Sequence, residues 1–297
     1  MKPARFAYRR AGSIGEALTW LADETSEAKI LAGGQSLVPL LNMRLARPAV
    51  LVDVNPIREL RTIATDDGGL RLGATVRHSD LIESALVSER APLLVTAARH
   101  IGHRAIRNLG TLGGSLAHAD PAAELPAALV ALGGSVVVAG PFPGSRIIAA
   151  EDLCVGPFLT SVQPTELLCE VRVPDQHGWT WGFAEMARRP GDFAIAGVAA
   201  AVRLSADVCV SARLVAFGVG DGPVRLVWAE RTLLGSPIDI DSARRAGEAA
   251  AEAMPTPPTD VHASAAYRQH LIAVLTEQVL LQARDRGAAD GSGEHGQ

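Results

Sequence analysis

The sequence has 297 residues, of which 48% are apolar and only 4% aromatic, and its formal net charge is −4. That mild acidity leaves no basic excess to neutralise phosphates, which argues against nucleic acid as a main partner. The longest apolar run, Ala194 to Val202, falls short of the ~20 residues a membrane-spanning helix requires. Met1-Lys2-Pro3-Ala4-Arg5 leads into no apolar signal core, so a cytoplasmic protein with no membrane span is expected. The three cysteines, Cys154, Cys169 and Cys209, form no C-x-x-C pair. An iron–sulfur cluster usually needs four cysteine ligands, so this chain alone is expected to hold none. No H-E-x-x-H metal motif occurs.

In chain order, Ser13 opens a helix, with Glu16 in capping-box position and Ile14, Ala17, Leu18 and Leu21 as the apolar stripe. Lys29 to Leu31 reads as a short strand and Ala32 to Ser36 as a turn. Leu37 to Leu45 reads as partly helical and broken by Pro39, and Val50 to Val54 as a second apolar strand. This opening is an α/β unit. Leu70 to Gly73 predicts a strand; Ser79 to Leu86 and Pro92 to Ile101 predict helices, with Pro92 suited to a first turn. Asp120 is placed to cap a helix over Pro121 to Leu132. Val136 to Ala139, Arg146 to Ala149 and Leu167 to Val173 predict strands.

A polar Pro/Gly cluster at Pro174 to Gly178 marks a boundary. Beyond it, Trp181 to Met186, Ala194 to Leu204 and Val208 to Val219 predict an antiparallel sheet, with Ser205-Ala206-Asp207 as a hairpin turn. Ser242 to Ala253 and Ser264 to Arg284 predict helices, and the Gly-rich polar end, Gly287 to Gln297, predicts a disordered tail. The expected organisation is therefore a first domain over 1–177, itself divided into 1–55 and 56–177, a second over 178–286, and a tail over 287–297.

Two glycine-rich turns carry the chemistry. The first is Leu31-Ala32-Gly33-Gly34-Gln35-Ser36-Leu37, after a strand and before a helix. Adjacent glycines permit positive φ and close backbone approach, and successive N–H groups can form an anion nest. The second, Gly110-Thr111-Leu112-Gly113-Gly114-Ser115, leads to Asp120 and Glu124, whose carboxylates can accept hydrogen bonds from sugar or ribityl hydroxyls. Either turn alone can equally be structural, with Asp120 as a helix cap and Glu124 as a solvated first-turn charge. Together they suit the linked phosphates of a dinucleotide. No G-x-G-x-x-G, Walker A or G-x-S-x-G motif occurs, so phosphates would be held by two separate loops. His118 stands beside the second loop, within possible reach of a phosphate. His100 and His103 read as helix-end groups, and Trp179 and Trp181 as packing of the second domain.

The A-G-G-x-S stretch at Ala32 to Ser36 and the T-L-G-G-S stretch at Thr111 to Ser115 resemble the flavoprotein subunits of the xanthine dehydrogenase and carbon monoxide dehydrogenase family. SLVPLLNMRLARPAVLVD at Ser36 to Asp53, LAHADPAAELP at Leu116 to Pro126, Glu166-Leu167-Leu168, and Arg188 to Ala194 fit as well, so the resemblance runs from about Lys2 to about Arg284. It implies an α+β chain: a two-part FAD-binding domain of PCMH type, then a smaller C-terminal α+β domain with an antiparallel sheet.

By resemblance, the cofactor is FAD, held by Leu31, Ala32, Gly33, Gly34, Gln35, Ser36, Leu37, Thr111, Gly113, Gly114 and Ser115. The residues matching Asp120, Glu124 and Leu168 lie near the ribityl chain or ring, and the stretch with Asp192 lies by the flavin pocket. Some members place a Lys near the flavin in the segment matching Ala184 to Met186; here that segment has none and carries Glu185. The implied partners are a molybdopterin-binding large subunit, a small subunit with two 2Fe–2S clusters and an external electron acceptor. No catalytic acid or base toward the organic substrate can be named in this chain. A stand-alone FAD oxidoreductase of the same fold, and a binding protein without flavin, remain alternatives.

Overall fold

The computed structural model describes residues 2–23, 27–66, 68–140 and 144–293. Its first layer is a three-stranded parallel sheet. Strand β1 (Ala7–Arg10) and β2 (Ala28–Leu31) flank β3 (Val50–Asp53). Helix α1 (Ile14–Leu21) links the first two and α2 (Leu37–Asn42) the last two. Ser13 caps α1, its hydroxyl accepting from Glu16 N at 3.2 Å, as the sequence predicts. Pro39 does not break α2. It occupies the first turn, where the backbone N–H has no intrahelical partner to lose.

The second sheet is antiparallel and five-stranded. It comprises β4 (Ile63–Asp66), β5 (Gly69–Gly73), β6 (Ser135–Ala139), β7 (Ser145–Ala149) and, beyond the small hairpin of β8 (Cys154–Gly156) and β9 (Leu159–Thr160), β10 (Leu167–Pro174). The strand order is β4-β5-β10-β6-β7, so the late strand β10 lies at the centre. Helices fill the long connection from β5 to β6: α3 (His78–Glu83), α4 (Ala85–Arg90), α5 (Pro92–His100), α6 (Arg104–Arg107), α7 (Leu112–His118) and α8 (Glu124–Ala131). The single helix expected over Ser79 to Leu86 is split at Ser84, which ends α3 and caps α4 by accepting from Val87 N. The helix expected over Pro121 to Leu132 starts only at Glu124. Asp120 instead closes a turn, its Oδ1 accepting from Ala122 N at 2.9 Å.

After α9 (Ala150–Leu153), the third sheet is a meander of β11 (Trp179–Met186), β12 (Ala196–Ser205) and β13 (Val208–Phe217), with the short β14 (Val224–Arg225) at its edge. Ala206 and Asp207 take φ of 48° and 68°, a two-residue turn with both central residues left-handed, which matches the twist of the hairpin it closes. Helices α10 (Val227–Leu233), α11 (Ile240–Ala253) and α12 (Ala265–Gly293) cover one face. Gly182 of β11 is needed there: a Cβ would lie 2.0 Å from the Val279 carbonyl oxygen. Helix α12 runs through Gly287 to Gly293, where the composition predicts disorder; residues 294–297 lie outside those described. No helix among the described residues is long and apolar enough to cross a membrane.

Alternation along β11 sorts its side chains. Ala184 joins the core under α12, whereas Phe183 joins the core of the first domain, together with Leu94, Leu112, Leu125 and Leu168. Ala199, Val215 and Phe217 from the same sheet belong to that first-domain core as well. The two domains are thus joined by shared apolar packing, and Glu185 lies on the face of β11 that meets the first domain.

Candidate functional site

The two glycine-rich turns, 77 positions apart from Gly33 to Gly110, meet in space. A Cβ on Gly33 would stand 2.4 Å from the Leu109 carbonyl oxygen and 2.8 Å from Gly110 Cα, so only glycine allows this approach. Gly34 next to it has φ of 71°, the left-handed region that glycine enters without steric cost. Among the described residues, no backbone or side-chain acceptor of the protein meets the N–H groups of Gly33, Gly34, Gln35 and Ser36. Four consecutive unpaired donors leading into α2 make an anion-binding concavity.

In the second turn the glycine amides are engaged within the protein. Leu112 N donates to Val76 O at 2.9 Å and Gly113 N to Ala74 O at 2.8 Å. Gly114 N donates to Thr111 Oγ1 at 3.1 Å and Ser115 N to Thr111 O at 3.0 Å. Gly113 is a packing glycine, since a Cβ would meet the Ala74 Cβ at 2.6 Å. The second turn therefore offers a close wall, with the Ser115 hydroxyl on α7, and the open amides belong to the first.

Two residues that the motifs do not reveal hold the turns together. Asn55 Nδ2 donates to Ala32 O at 2.9 Å, and Arg77 Nη2 donates to Asn55 Oδ1 at 2.6 Å. Arg77 Nη1 also donates to the Leu109 carbonyl. The guanidinium thus braces the first turn, through Asn55, against the second. Burial pulls the Arg77 pKa below the ordinary arginine value. Behind the second turn, His78 is 5% exposed and neither ring nitrogen has a hydrogen-bond partner; burial pushes its pKa down to about 4. His118 is half-buried against Phe158, with ring centroids 5.1 Å apart, and burial lowers its pKa.

Glu124 and Asp120 sit downstream of the second turn. Glu124, in the first turn of α8, is only 7% exposed. Burial, and secondarily the charge of Glu185, push its pKa up to about 8. Glu185 Oε1 lies 3.1 Å from His100 Nδ1, and Glu185 Oε2 is buried with no hydrogen-bond partner. His100 ends α5, as read from the sequence, and also packs on Phe183 with centroids 4.9 Å apart. Leu168 is 6% exposed and belongs to the core behind α7. Asp192 is exposed on the turn after β11, where Gly191 packs on the corner between α5 and α6: a Cβ there would lie 2.7 Å from Gly102 O. A cavity of about 670 Å³ lies elsewhere, at the other end of α5, between Pro92, Gln176, Trp179, Trp181 and Arg286. Among the described residues no cluster of His, Cys, Asp and Glu is arranged to hold a metal ion.

The open amides of 33–36 facing a glycine wall fit a diphosphate, and the buried carboxylates beyond them fit hydroxyl or ring N–H donors. Comparison with known proteins identifies the family. Residues 4–176 match the FAD binding domain in molybdopterin dehydrogenase, and residues 181–283 match the CO dehydrogenase flavoprotein C-terminal domain. The chain is 44% identical to the 6-hydroxypseudooxynicotine dehydrogenase complex subunit alpha of Paenarthrobacter nicotinovorans, over 96% of this chain and 97% of that one. It is 34% identical to the carbon monoxide dehydrogenase medium chain of Hydrogenophaga pseudoflava, over 94% and 97% respectively. The crystal structure of quinoline 2-oxidoreductase from Pseudomonas putida 86 superposes with a TM-score of 0.92 at 37% identity, over 97% of this chain and 99% of that chain. With both of its domains so matched, the chain belongs to the FAD-binding subunits of the molybdopterin-containing dehydrogenases, and FAD is its cofactor.

Proposed function

We propose that this chain is the electron-transfer flavoprotein of a three-part molybdenum hydroxylase, located in the cytoplasm. Electrons leave a molybdopterin-binding large subunit, cross two 2Fe–2S clusters of a small subunit and reach FAD here, from which an external acceptor takes them. Bound flavin supplies the exchange between one-electron and two-electron carriers. The observation that carries this reading is the contact between Gly33 and Leu109–Gly110, which sets four open amides against the second glycine turn.

In this reading Gly33, Gly34, Gln35 and Ser36 bind the diphosphate, with Leu31, Ala32 and Leu37 shaping the turn. Thr111, Gly113, Gly114 and Ser115 form the facing wall. Asp120, Glu124, Leu168 and Asp192 line the path to the ring. The protein's part is to place the cofactor and exclude water. Support for partners comes from relatives whose names make them medium chains or complex subunits.

The test is to purify the tagged chain from its native host and record its absorption spectrum, flavin content and companions. The reading requires about one FAD per chain together with molybdenum- and iron–sulfur-containing subunits. FAD on a chain that travels alone, reduced directly by an organic substrate, would make it a stand-alone oxidoreductase.

A further inference from the structure

The first glycine turn is fastened from behind by a chain of contacts that begins on the far edge of its sheet. Asp53 is the last residue of β3. It stands in register with Arg10 of β1 on one side and, on the other, with Leu31 of β2, the residue that enters the turn. Tyr8 lies two residues before Arg10, so the two side chains share a face of β1. The Tyr8 hydroxyl donates to Asp53 Oδ2 at 2.5 Å, and Arg10 Nε lies 3.8 Å from the same oxygen. Asp53 Oδ1 accepts twice from Asn55, from its backbone N at 2.9 Å and from Nδ2 at 2.6 Å. Asn55 Nδ2 gives its second hydrogen to the Ala32 carbonyl, and Asn55 Oδ1 accepts from Arg77. The Asn55 carbonyl accepts from Arg61 Nη2 at 2.6 Å. Asp53 is 6% exposed, whereas Tyr8 is 51% exposed.

A carboxylate only accepts hydrogen bonds, while an amide has one accepting and one donating end. With acceptors at Asp53 Oδ1 and Ala32 O and a donor at Arg77, the Asn55 amide has one orientation that satisfies every group. The reversed amide would set oxygen against two oxygens. Asp53 also holds the Asn55 backbone through an Asx turn, which fixes the direction in which the side chain leaves the main chain. The consequence reaches the turn through one peptide group. Ala32 C=O and Gly33 N–H belong to the same planar trans peptide and point opposite ways. Holding the oxygen toward Asn55 therefore aims the first open amide of the turn away from it, on the side left free for an anion. We infer that Asp53, aimed by the Tyr8 hydroxyl, is a positioning residue for the cofactor: it orients Asn55 and, through Asn55, the peptide that opens the diphosphate-binding turn. This inference rests on the FAD reading of that turn.

The experiment is a double-mutant cycle read by equilibrium titration of the full-length, FAD-stripped chain with FAD. Asp53→Leu removes both acceptors at nearly constant volume and should weaken FAD binding about tenfold or more. Asp53→Asn keeps a neutral acceptor for Asn55 and should fall between Asp53→Leu and the wild type. Tyr8→Phe, at a half-exposed position where folding is not at stake, should cost about threefold. Each substitution is then repeated in an Asn55→Ala background. If Asp53 and Tyr8 act through Asn55, their effects on FAD affinity should vanish there, and the double variants should bind FAD as Asn55→Ala does. A general loosening of the sheet would instead add the same loss in both backgrounds. Additive losses, or wild-type affinity in both Tyr8→Phe and Asp53→Leu, overturn the positioning role while leaving FAD binding intact. A wild-type chain that takes up no FAD overturns the cofactor reading, and the positioning role with it.

Discussion

Arg77 and Asn55 form a single brace: the guanidinium donates to Asn55 Oδ1 at 2.6 Å while Asn55 Nδ2 holds the Ala32 carbonyl at 2.9 Å. With the second bond from Arg77 to the Leu109 carbonyl, two turns remote in sequence are kept in register. A hydrogen bond to a charged group contributes about 1.5–3 kcal/mol. Arg77→Ala should therefore weaken FAD binding by about tenfold or more. Asn55→Ala should do the same through the first turn alone. Equilibrium titration of the stripped chain with FAD measures both. Unchanged affinity in both variants would mean that the turns keep their spacing without the brace.

Gly33 and Gly34 should respond differently to alanine. At Gly33 the new methyl group would stand 2.4 Å from a backbone oxygen, which has no flexible end to swing aside, so the turns must part and FAD should be lost. At Gly34 the nearest atoms are the Val38 and Leu31 side chains at 3.2 and 3.3 Å, and the cost is that of φ 71° on an alanine, about 1 kcal/mol. Gly34→Ala should keep substantial flavin and lose a few degrees of melting temperature. Equal flavin content in the two variants would remove the close approach as the reason for Gly33.

His78 predicts sensitivity to acid. Its folded pKa, about 4, lies below the ordinary value of 6.5, so the unfolded chain binds the proton more tightly. Stability is therefore complete above 6.5 and falls as the pH drops toward 4, by about 3 kcal/mol at most. His78→Leu should flatten that part of the profile, as read by chemical denaturation across pH. A wild-type chain equally stable at pH 4.5 and 6.5, with His78→Leu unchanged in slope, would place the ring in water.

Glu124 predicts the opposite slope. Its folded pKa, about 8, lies above the ordinary 4.5, so the folded chain holds the proton more tightly and stability falls as the pH rises between those values. In the chain stripped of FAD the two trends offset each other between pH 4.5 and 6.5. Only the decline from Glu124 remains from 6.5 to about 8. Glu124→Gln should remove that decline. If denaturation midpoints of wild type and Glu124→Gln run parallel up to pH 9, the carboxyl is ionised in the fold.

Much of this was readable from local patterns. Ser13 and Glu16 announce α1, and alternation announces β11 to β13. Two strands went unread for different reasons: β1 pairs with β3 some forty residues on, whereas β4 is a short, mostly exposed edge with little apolar pattern beside its neighbour β5. The glycine motifs marked two turns that the fold brings into contact, but not how their amides are engaged. Gly113 is required by Ala74 and the Gly114 amide is taken by Thr111, contacts that no local rule contains. Arg77 and Asn55 were invisible for the same reason: each is an ordinary polar residue until the fold brings it between two carbonyls. His100 and Glu185 come from different domains and meet only through the packing of α5 on β11.

The turn over residues 119–123 connects the second glycine motif to α8, and its own backbone is tied from outside at two points. Phe158 N donates to Ala119 O at 2.9 Å, and Gly218 N donates to Pro121 O at 2.8 Å. The second bond comes from the C-terminal domain, where buried Arg268 fastens the same Gly218 through its carbonyl at 2.7 Å. The C-terminal domain therefore fixes the turn before α8 as well as packing beside it. Excising it would unfasten the strap that carries Asp120 and leads into Glu124, so the first domain on its own is expected to lose the shape of that turn.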